Sequence, residues 1–438
     1  MKSLQIRLNN AKITVEIIYM KENKTLEFKS DITNNFLKTV SAFANFIGGK
    51  IIFGIDDNGK ACGLKGDLNQ IKLDLENTIN DSIKPKPDYS LHIDYSNRTI
   101  LLNVSEGQYK PYLYRGKAYR RSDTSTVEVD QLELKRLVLE GSNLSFEDLS
   151  CKEDNLTFSF LENKFRTILG ISGINNDTLK TLGFFNRDGV INIAGCLFAD
   201  TNSFPGIDMV RFGDTINVIL DREIYEKRSI LEQYDKAVEL YKKYYQYEVI
   251  DGILRNQVNL VPENAFREAV ANALVHRQWD VNAHIQIAMF KDKIVITSPG
   301  GLPTNVSKEE YLNGNVSFLR NPIIGNIFFR LHYIEKFGTG IKRIKESYAG
   351  NFIQPEFEVS DNFIKIVLPI LRKKYETTRE EKRVIDLLSN GAYLSSIEIS
   401  KALKCSKDKA IRLLNSLVEK KYVVAIGNGR GTKYSLSA

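Results

Sequence analysis

Apolar positions near the N-terminus predict a strand, a helix and a second strand in quick succession. Residues 25–29 alternate between polar and apolar side chains, as half-buried strands do. Residues 51–55 form a second, fully apolar strand that closes on a turn at residues 56–59. Between the two strands, Gly48 and Gly49 are expected to end a helix. Its apolar residues recur at helical spacing: Phe36, Leu37, Val40, Phe43 and Ala44.

The same mixed pattern continues through the chain. Up to residue 140 it predicts a helix at 67–83, strands at 89–93 and 99–104, and a short helix at 131–140. Residues 142–155 are expected to be a linker.

A second mixed region follows, from about residue 155 to 370. The almost wholly apolar run at residues 190–200 predicts a buried strand. Long helices are expected at residues 229–247 and 262–280. Residues 294–303 predict a strand that runs into a glycine turn.

The last sixty residues have their own pattern, after a charged linker at residues 371–380. They predict three helices followed by a hairpin with a glycine-rich tip. Ser395 and Glu398 have the spacing of a capping box at the start of the second helix, and Ser406 is placed to cap the third. The whole chain is therefore predicted to be a multidomain α+β protein, with domains at 1–140, 155–370 and 379–438.

Composition narrows the class of protein. A length of 438 residues is enough for about three domains, and 42% hydrophobic with 26% charged residues is typical of soluble globular chains. No apolar run is long enough for a membrane span, and the N-terminus lacks a signal-peptide core, so no membrane partner is expected. Four scattered cysteines without a CxxC pair argue against zinc or disulfides and predict a cytoplasmic location.

Carboxylates stand at the ends of the first two predicted strands. Glu22 and Glu27 lie on the first, and Asp56 and Asp57 follow the second. If the strands pair, these oxygens could hold Mg²⁺ or Mn²⁺ beside Lys29 and activate water against a phosphodiester. Solvated charges at strand ends give the same pattern, and spacing alone favours them.

A basic segment rich in tyrosine occupies residues 107–122 and contains no acid. Cations neutralise phosphates and aromatic faces stack on bases, so the segment is a candidate nucleic-acid surface. A hairpin with half-buried tyrosines and solvated charges is the other interpretation. The candidate contacts are Lys110, Tyr112, Arg115, Lys117, Arg120 and Arg121.

The predicted helix at residues 262–280 carries Glu268 and Asn272 one turn apart on one face. A carboxylate and an amide at this spacing suit a magnesium ion and its water over a nucleotide. A helix with one polar face is the simpler interpretation of the spacing. Gly338 and Gly340 precede a further helix, whose N-terminal N–H groups could receive phosphates.

Positive charge is concentrated in the C-terminal domain. The chain has a net charge of +7, and residues 379–438 hold twelve lysines and arginines against six acids. Lys407, Lys409 and Arg412 lie on the outer face of the third predicted helix, and Arg430 lies at the hairpin tip. This distribution favours contact with a phosphate backbone.

Several spaced motifs in the N-terminal domain resemble the Schlafen AlbA-type domain of bacterial proteins. They are ExxxxEFK at 22–29, SAFANxxGGxIxFGIDDxG at 41–59 and PYLYRGKAYRRS at 111–122. The resemblance implies nucleic-acid binding. It also implies, for some relatives, a metal-dependent nuclease whose two glutamates are Glu22 and Glu27 and whose aspartate is Asp56 or Asp57.

The middle domain resembles the RecG-like C-terminal region, a relative of the ATPase fold of gyrase, heat-shock protein 90 and histidine kinases. The motifs are the ExxxN helix, SPGGLP at 298–303, RNP at 320–322 and GTGI at 338–341. The resemblance implies an ATP pocket with Asn272 on the metal and Glu268 orienting water. Its glycine turns would place Gly300, Gly301, Gly338, Thr339 and Gly340 at the ligand.

The middle domain also departs from this family pattern. The adenine-reading aspartate of the larger superfamily is expected at residues 297–299, where this chain has Thr, Ser and Pro. No GxxxxGK[ST] motif occurs, which excludes a P-loop helicase motor.

The C-terminal domain resembles a winged helix-turn-helix, which implies a third helix in the major groove and a wing on the DNA backbone. Protein contact or dimerisation is its other common use. We therefore predict a nucleic-acid-binding protein. The leading hypothesis is a nucleotide-responsive, dimeric DNA-binding transcriptional regulator acting in stress or phage defence. The alternative is a Mg²⁺- or Mn²⁺-dependent nuclease acting on RNA or DNA.

Overall fold

The computed structural model describes most of the chain. The described residues are 4–8, 11–15, 21–171, 173–251, 254–303, 306–314, 319–335, 338–351, 353–371, 378–389, 393–420, 422–427 and 429–436, with side chains described from residue 21 onward except at 251, 254 and 430. The chain begins with an antiparallel pair, β1 (Leu4–Leu8) and β2 (Ala11–Val15). Three modules follow, which confirms the predicted multidomain α+β class.

The first module is a four-stranded sheet with helices packed against it. Its strand order is β3-β4-β7-β6, with β3 and β4 parallel and joined through α1. The elements are β3 (Leu26–Lys29), α1 (Phe36–Asn45), β4 (Gly49–Phe53), α2 (Leu68–Ser82), β5 (Ile83–Lys84), β6 (Tyr89–Asp94), β7 (Thr99–Val104), β8 (Leu113–Tyr114), β9 (Tyr119–Ser122), β10 (Ser125–Glu128) and α3 (Gln131–Gly141).

Helix α1 is the centre of this module because it is buried on nearly all sides. Its polar residues bind the backbone of the tyrosine-rich segment. The hydroxyl of Ser41 donates to the carbonyl oxygen of Tyr112 at 2.7 Å. The amide of Asn45 donates to that same oxygen at 2.9 Å and accepts from the Tyr112 N–H at 2.7 Å. These bonds hold the segment against the core rather than in solvent.

The second module is a six-stranded sheet of order β12-β11-β15-β16-β18-β17, with α8 packed on it. Its largest hydrophobic cluster joins α7, α8 and α10 to the sheet. The elements are α4 (Ser159–Lys164), α5 (Asn176–Thr181), α6 (Ile193–Phe198), β11 (Ile207–Phe212), β12 (Ile219–Tyr225), α7 (Ile230–Tyr245), β13 (Gln246–Asp251), β14 (Leu254–Asn259), α8 (Glu263–His276), β15 (Ile285–Met289), β16 (Lys293–Pro299), α9 (Lys308–Asn313), α10 (Pro322–Arg330), α11 (Gly340–Ser347), β17 (Glu356–Val359) and β18 (Phe363–Pro369).

The predicted strand at residues 190–200 is wrong, because Ile193–Phe198 form helix α6. Asn192 begins this helix by accepting the N–H of Gly195 at 2.9 Å. All six residues of the helix are buried, so the sequence has no polar positions that would show the 3.6-residue repeat of a helix. A short apolar run cannot be assigned to strand or helix by periodicity alone.

The predicted linker between the first two modules contains a docking contact. Within a 3-10 turn at Phe146–Asp148, the Glu147 side chain is fully buried. Its carboxylate accepts the backbone N–H groups of Ile323 at 2.6 Å and Ile324 at 3.0 Å. These N–H groups lie in the first turn of α10 and have no acceptor within the helix. The linker is therefore fixed to the second module.

Stability is expected to depend on pH through Glu147. Burial raises the pKa of Glu147, and the two N–H bonds lower it. Burial has the larger effect, so the pKa is about 8. A carboxyl group with a raised pKa holds its proton more tightly in the folded state. Its contribution is therefore full below the unfolded pKa and is lost as pH rises through about 8. Unfolding by urea between pH 5 and pH 9 should show this loss in the native protein and a flatter profile in Glu147→Gln. Identical profiles would contradict it.

The third module contains three helices and a three-stranded sheet of order β19-β21-β20. The capping box at Ser395 and Glu398 and the cap at Ser406 are both present, which confirms these two predicted helix starts. The elements are α12 (Arg379–Leu388), β19 (Leu394–Ser395), α13 (Ser396–Leu403), α14 (Lys407–Glu419), β20 (Val423–Ile426) and β21 (Lys433–Leu436).

Glu381 fixes α12 against α14 in this module. Burial raises its pKa, but bonds from Lys420 and Ser416 outweigh burial and lower the pKa to about 2. In the part of the chain that the structure describes, no helix has the length and apolar character to cross a membrane.

Candidate nucleotide pocket and nucleic-acid surfaces

Helix α8 places Glu268 and Asn272 together on the side that faces α11. The Asn272 amide donates to Glu268 Oε1 at 3.3 Å. The pKa of Glu268 is raised, mainly by burial and also by the charge of Glu335. The charge of Arg343 and the hydrogen bond from Asn272 act in the opposite direction and lower it. A buried carboxylate beside an amide can orient water and hold a cation.

The start of α11 lies directly on these two side chains. A Cβ atom at Gly340 would stand 2.6 Å from both Asn272 Nδ2 and Glu268 Oε1. Gly338, two residues earlier, has a φ of 65°. The absence of a side chain at Gly340 therefore brings the free N–H groups of a helix N-terminus to the Glu268 and Asn272 face.

These groups enclose a cavity of about 90 Å³ between α8, the sheet and α11. Five of the seven predicted nucleotide-binding residues line it: Glu268, Asn272, Gly301, Gly338 and Gly340. Gly300 and Thr339 are not among its lining residues. Gly300 instead shapes the adjacent turn, with a φ of 101°. The cavity is smaller than the roughly 300–1,000 Å³ of typical ligand pockets.

Five further polar lining residues were not predicted as contacts: His276, Ser298, Tyr311, Arg320 and Glu335. His276 shares the polar face of α8, so its spacing was an available signal. Burial, followed by the charge of Arg320, lowers the pKa of His276 to about 4, which makes it neutral at pH 7. Tyr311 lies on α9, in a part of the chain whose pattern gave no signal.

The carboxylates of the first module do not converge as predicted. Among the described residues, no group of three His, Cys, Asp or Glu side chains could hold a metal ion. Glu22 accepts the N–H of Phe28 at 2.8 Å, and Asp56 accepts the N–H groups of Asn58 and Lys60 in its own turn. The structure therefore does not bring Glu22, Glu27 and Asp56 together, so their joint role as metal ligands stays a prediction, and Asp57 is an exposed turn residue.

Glu27 is instead the acceptor in a buried ion-pair network. It is 4% exposed and bonds to Arg121 Nη1 at 2.8 Å and to Lys29 Nζ at 2.6 Å. Arg121 also donates to Thr126 at 3.0 Å and to the carbonyl oxygen of Asn23 at 3.2 Å. The network joins β3 to the β9–β10 hairpin. In this structure, Lys29 therefore forms an ion pair with Glu27 that is part of the network.

The basic segment is only partly a surface. Lys110 is 7% exposed and is bonded to Glu106 and Glu140, each at 2.6 Å. Tyr112 is 2% exposed and lies against α1. The Arg121 side chain is likewise only 5% exposed, so these three of the six predicted contacts offer little surface to a nucleic acid in this structure.

The other three predicted contacts remain accessible. Lys117 pairs with Glu128 at 2.7 Å, and Arg120 pairs with Glu133 at 3.2 Å. Arg115 is exposed at a turn with a φ of 51°, with its guanidinium 5.2 Å from the centre of the Tyr114 ring. Acids from other parts of the module thus reduce the charge that this segment presents.

The third module retains a basic face. Lys407 and Arg412 are exposed on α14. Lys409 is half-buried and bonds to Glu380 of α12, so it is held in place by the fold. The side chain of Arg430 lies outside the described residues. Lys407 and Arg412 are therefore the exposed cations of α14, and Lys409 is partly exposed but paired.

Comparison with known families agrees with the predicted architecture. Residues 22–130 match the family model described as "Schlafen, AlbA_2". Residues 282–368 match the model described as "Putative ATP-dependent DNA helicase recG C-terminal". The first module is therefore similar to the AlbA_2 family over residues 22–130, and the second is similar to the RecG C-terminal family over residues 282–368; we call them the AlbA_2 module and the RecG-type module. The AlbA_2 match contains the Glu27–Arg121 network. The RecG-type match contains the glycine turns but begins after α8, so the roles of Glu268 and Asn272 stay predictions.

Several solved structures are similar to this chain. The DIP2311 protein from Corynebacterium diphtheriae has 18% sequence identity and a TM-score of 0.47, with 98% of this chain and 94% of that chain covered. No curated protein matches this chain.

Proposed function

We propose that this protein is a nucleotide-responsive DNA-binding transcriptional regulator. The observation that carries the proposal is the convergence of Glu268, Asn272, Gly338 and Gly340 around one cavity. The nucleic-acid-related families of the first two modules and the basic face of α14 support it. Its role in stress or phage defence stays a prediction.

The pocket residues suit a nucleotide with a divalent cation. Asn272 and Glu268 offer the amide and carboxylate oxygens that Mg²⁺ prefers, and the start of α11 offers N–H donors for phosphate. A cavity of about 90 Å³ is too small for a whole nucleotide, so binding requires the pocket to widen. Residues of α9 and α11 border the cavity and would move relative to α8.

A change in the pocket has a short route to the third module. Ile364 and Ile366 of β18 form part of the cavity wall. The same strand ends at Pro369, nine residues before Thr378 caps α12. A ligand that binds one arrangement of this wall better than another shifts the population of the DNA-binding states.

The DNA-binding part is tested with Lys407→Glu combined with Arg412→Glu. Each charge reversal removes a cation that can neutralise a phosphate, so affinity for duplex DNA is expected to fall about tenfold or more at about 0.1 M salt. The slope of log affinity against log salt should decrease in magnitude by about 2. Fluorescence anisotropy over a salt series measures both quantities.

The matched control is Lys382→Glu combined with Arg383→Glu. These residues are exposed on α12, and the control changes the net charge of the same module by the same amount. It should retain most of the affinity. Equal losses in both pairs would mean that net charge, rather than the face of α14, determines binding. No loss in the first pair would remove α14 as the DNA contact.

A further inference from the structure

One edge of the six-stranded sheet is rich in exposed apolar side chains. Strand β12 is the outermost strand at this edge, and it pairs with β11 on its inner side. Five of its seven residues are exposed and none is buried. Together with the turn that precedes it, this strand presents five apolar side chains that are 44–69% exposed: Ile216, Val218, Ile219, Leu220 and Ile224.

The β13–β14 hairpin continues this surface. The C-terminal end of α7 is attached to β12, because Lys243 and Tyr244 both bond to Asp221, the lysine at 3.1 Å. The hairpin begins two residues after Tyr244, at Gln246, and therefore leaves the module beside β12. It adds three apolar side chains that are 38–70% exposed: Tyr247, Val249 and Ile250.

Both faces of this hairpin are exposed. Successive residues of a strand point to opposite faces, and residues 247–250 are all exposed. Tyr247 and Val249 share one face, and Ile250 lies on the other. A two-stranded hairpin without a packed face is at best marginally stable in water. A surface that covers the hairpin is therefore needed, and the described residues of the single chain do not supply it.

The charges of β12 do not protect this edge from another chain. Edge strands commonly avoid such contact through lysine or proline residues, and β12 has neither. Two of its three charged side chains are already paired within the module. Arg222 bonds to both carboxylate oxygens of Asp208, at 3.1 and 2.7 Å, and Asp221 bonds to Lys243. Contact with another chain therefore leaves these two charges paired.

The exposed apolar area is large enough for a dimer. Eight of the 21 large apolar side chains that are exposed among the described residues lie in these two short segments. About half of each is exposed, which gives roughly 600 Å² of apolar surface, the upper limit of the largest patches on typical monomers. Two copies that join these patches bury about 1,200 Å², which reaches the range of specific protein–protein interfaces.

We propose that this protein forms a two-fold symmetric dimer through the β12 edge and the β13–β14 hairpin. In such a dimer the hairpin of each copy covers the apolar edge of the other, so one patch forms both sides of the interface. A second copy is also the partner that is present wherever the chain is made, which suits a hairpin that needs a cover to be stable. The dimer does not depend on nucleotide or DNA.

Analytical ultracentrifugation of the full-length protein at about 0.5–50 μM tests the proposal. A species of about 100 kDa is expected, twice the 49.9 kDa of one chain. Leu220→Glu combined with Ile250→Glu places a carboxylate in each part of the patch. The affinity of the dimer should then fall at least about a hundredfold, because an unpaired charge in an interface opposes association.

The matched control is Ile171→Glu combined with Val190→Glu. Both residues are 45% exposed and lie in the second module outside the patch, so this variant should stay dimeric. Circular dichroism shows whether each variant is folded, and Ile216→Glu alone replaces the patch variant if that is not.

Hydrogen exchange locates the interface within the chain. The amides of residues 219–225 and 246–250 should exchange more slowly in the native protein and the control than in the patch variant. A native protein that stays at 49.9 kDa shows that a different partner covers the patch, and it overturns the proposal. So do a dimer that the patch variant leaves intact, equal dissociation of the control, and unchanged exchange in these strands. Because no nucleotide or DNA is present, failure of the proposed function leaves these measurements unaffected.

Discussion

Replacing Glu27 by alanine is expected to destabilise the AlbA_2 module by about 3–5 kcal/mol, because it leaves Arg121 buried without its carboxylate. Glu27 is 4% exposed and binds both Arg121 and Lys29, so no water replaces the lost acceptor without rearrangement. The double variant Glu27→Leu with Arg121→Met should be much less destabilised, since it removes both charges together. Urea unfolding followed by circular dichroism measures the differences.

A surface pair supplies the control for this experiment. Lys117 and Glu128 join the same part of the module at 2.7 Å, but their side chains are 55% and 50% exposed. Glu128→Ala should therefore change stability by no more than about 1 kcal/mol. If Glu27→Ala were as stable as the native protein and abolished cleavage of labelled RNA or DNA with Mn²⁺, the ion-pair account would fail and the nuclease hypothesis would gain support.

Gly340→Ala is expected to weaken nucleotide binding about ten- to a hundredfold. The new methyl group would stand 2.6 Å from Asn272 Nδ2 and from Glu268 Oε1, closer than any ordinary contact. The start of α11 must then move away from α8, at a cost of about 1–3 kcal/mol. Calorimetry with ATP and Mg²⁺ measures the affinity, and thermal unfolding shows whether the module remains folded.

Gly431→Ala is the matched control for the glycine substitution. It introduces the same methyl group at a position with no atom within 4 Å and should leave nucleotide affinity unchanged. Unchanged affinity in Gly340→Ala would show that nucleotide does not bind between α8 and α11.

Local spacing predicted the pocket better than it predicted the surfaces. Glu268 and Asn272 are one turn apart on an amphipathic helix, so their common face follows from the sequence. The burial of Glu27 does not, because its partner Arg121 lies 94 residues further along the chain. Likewise, residues 107–122 contain no acid, but Glu140 approaches Lys110 from α3. Charge within a window of sequence omits the acids that tertiary structure supplies.

The closeness of the modules also could not be predicted. Glu147 lies in a stretch whose composition predicts only a linker, and its partners are backbone N–H groups 176 and 177 residues away. Backbone donors have no sequence signature, so the contact is visible only in the fold. The interdomain cleft between the first two modules, which Phe146 and Asp148 line beside Glu147, was likewise absent from the sequence-based expectations.

The loop at residues 301–303, together with Leu319 and Arg320, lines both the Glu268 pocket and the interdomain cleft. If this shared wall moves when a ligand binds in one cavity, ligand binding in the other cavity is affected as well. If a ligand in one cavity raises the affinity of the other cavity for its own ligand, that second ligand must raise the affinity for the first by the same factor. The protein would then respond to a combination of small molecules instead of to the level of one.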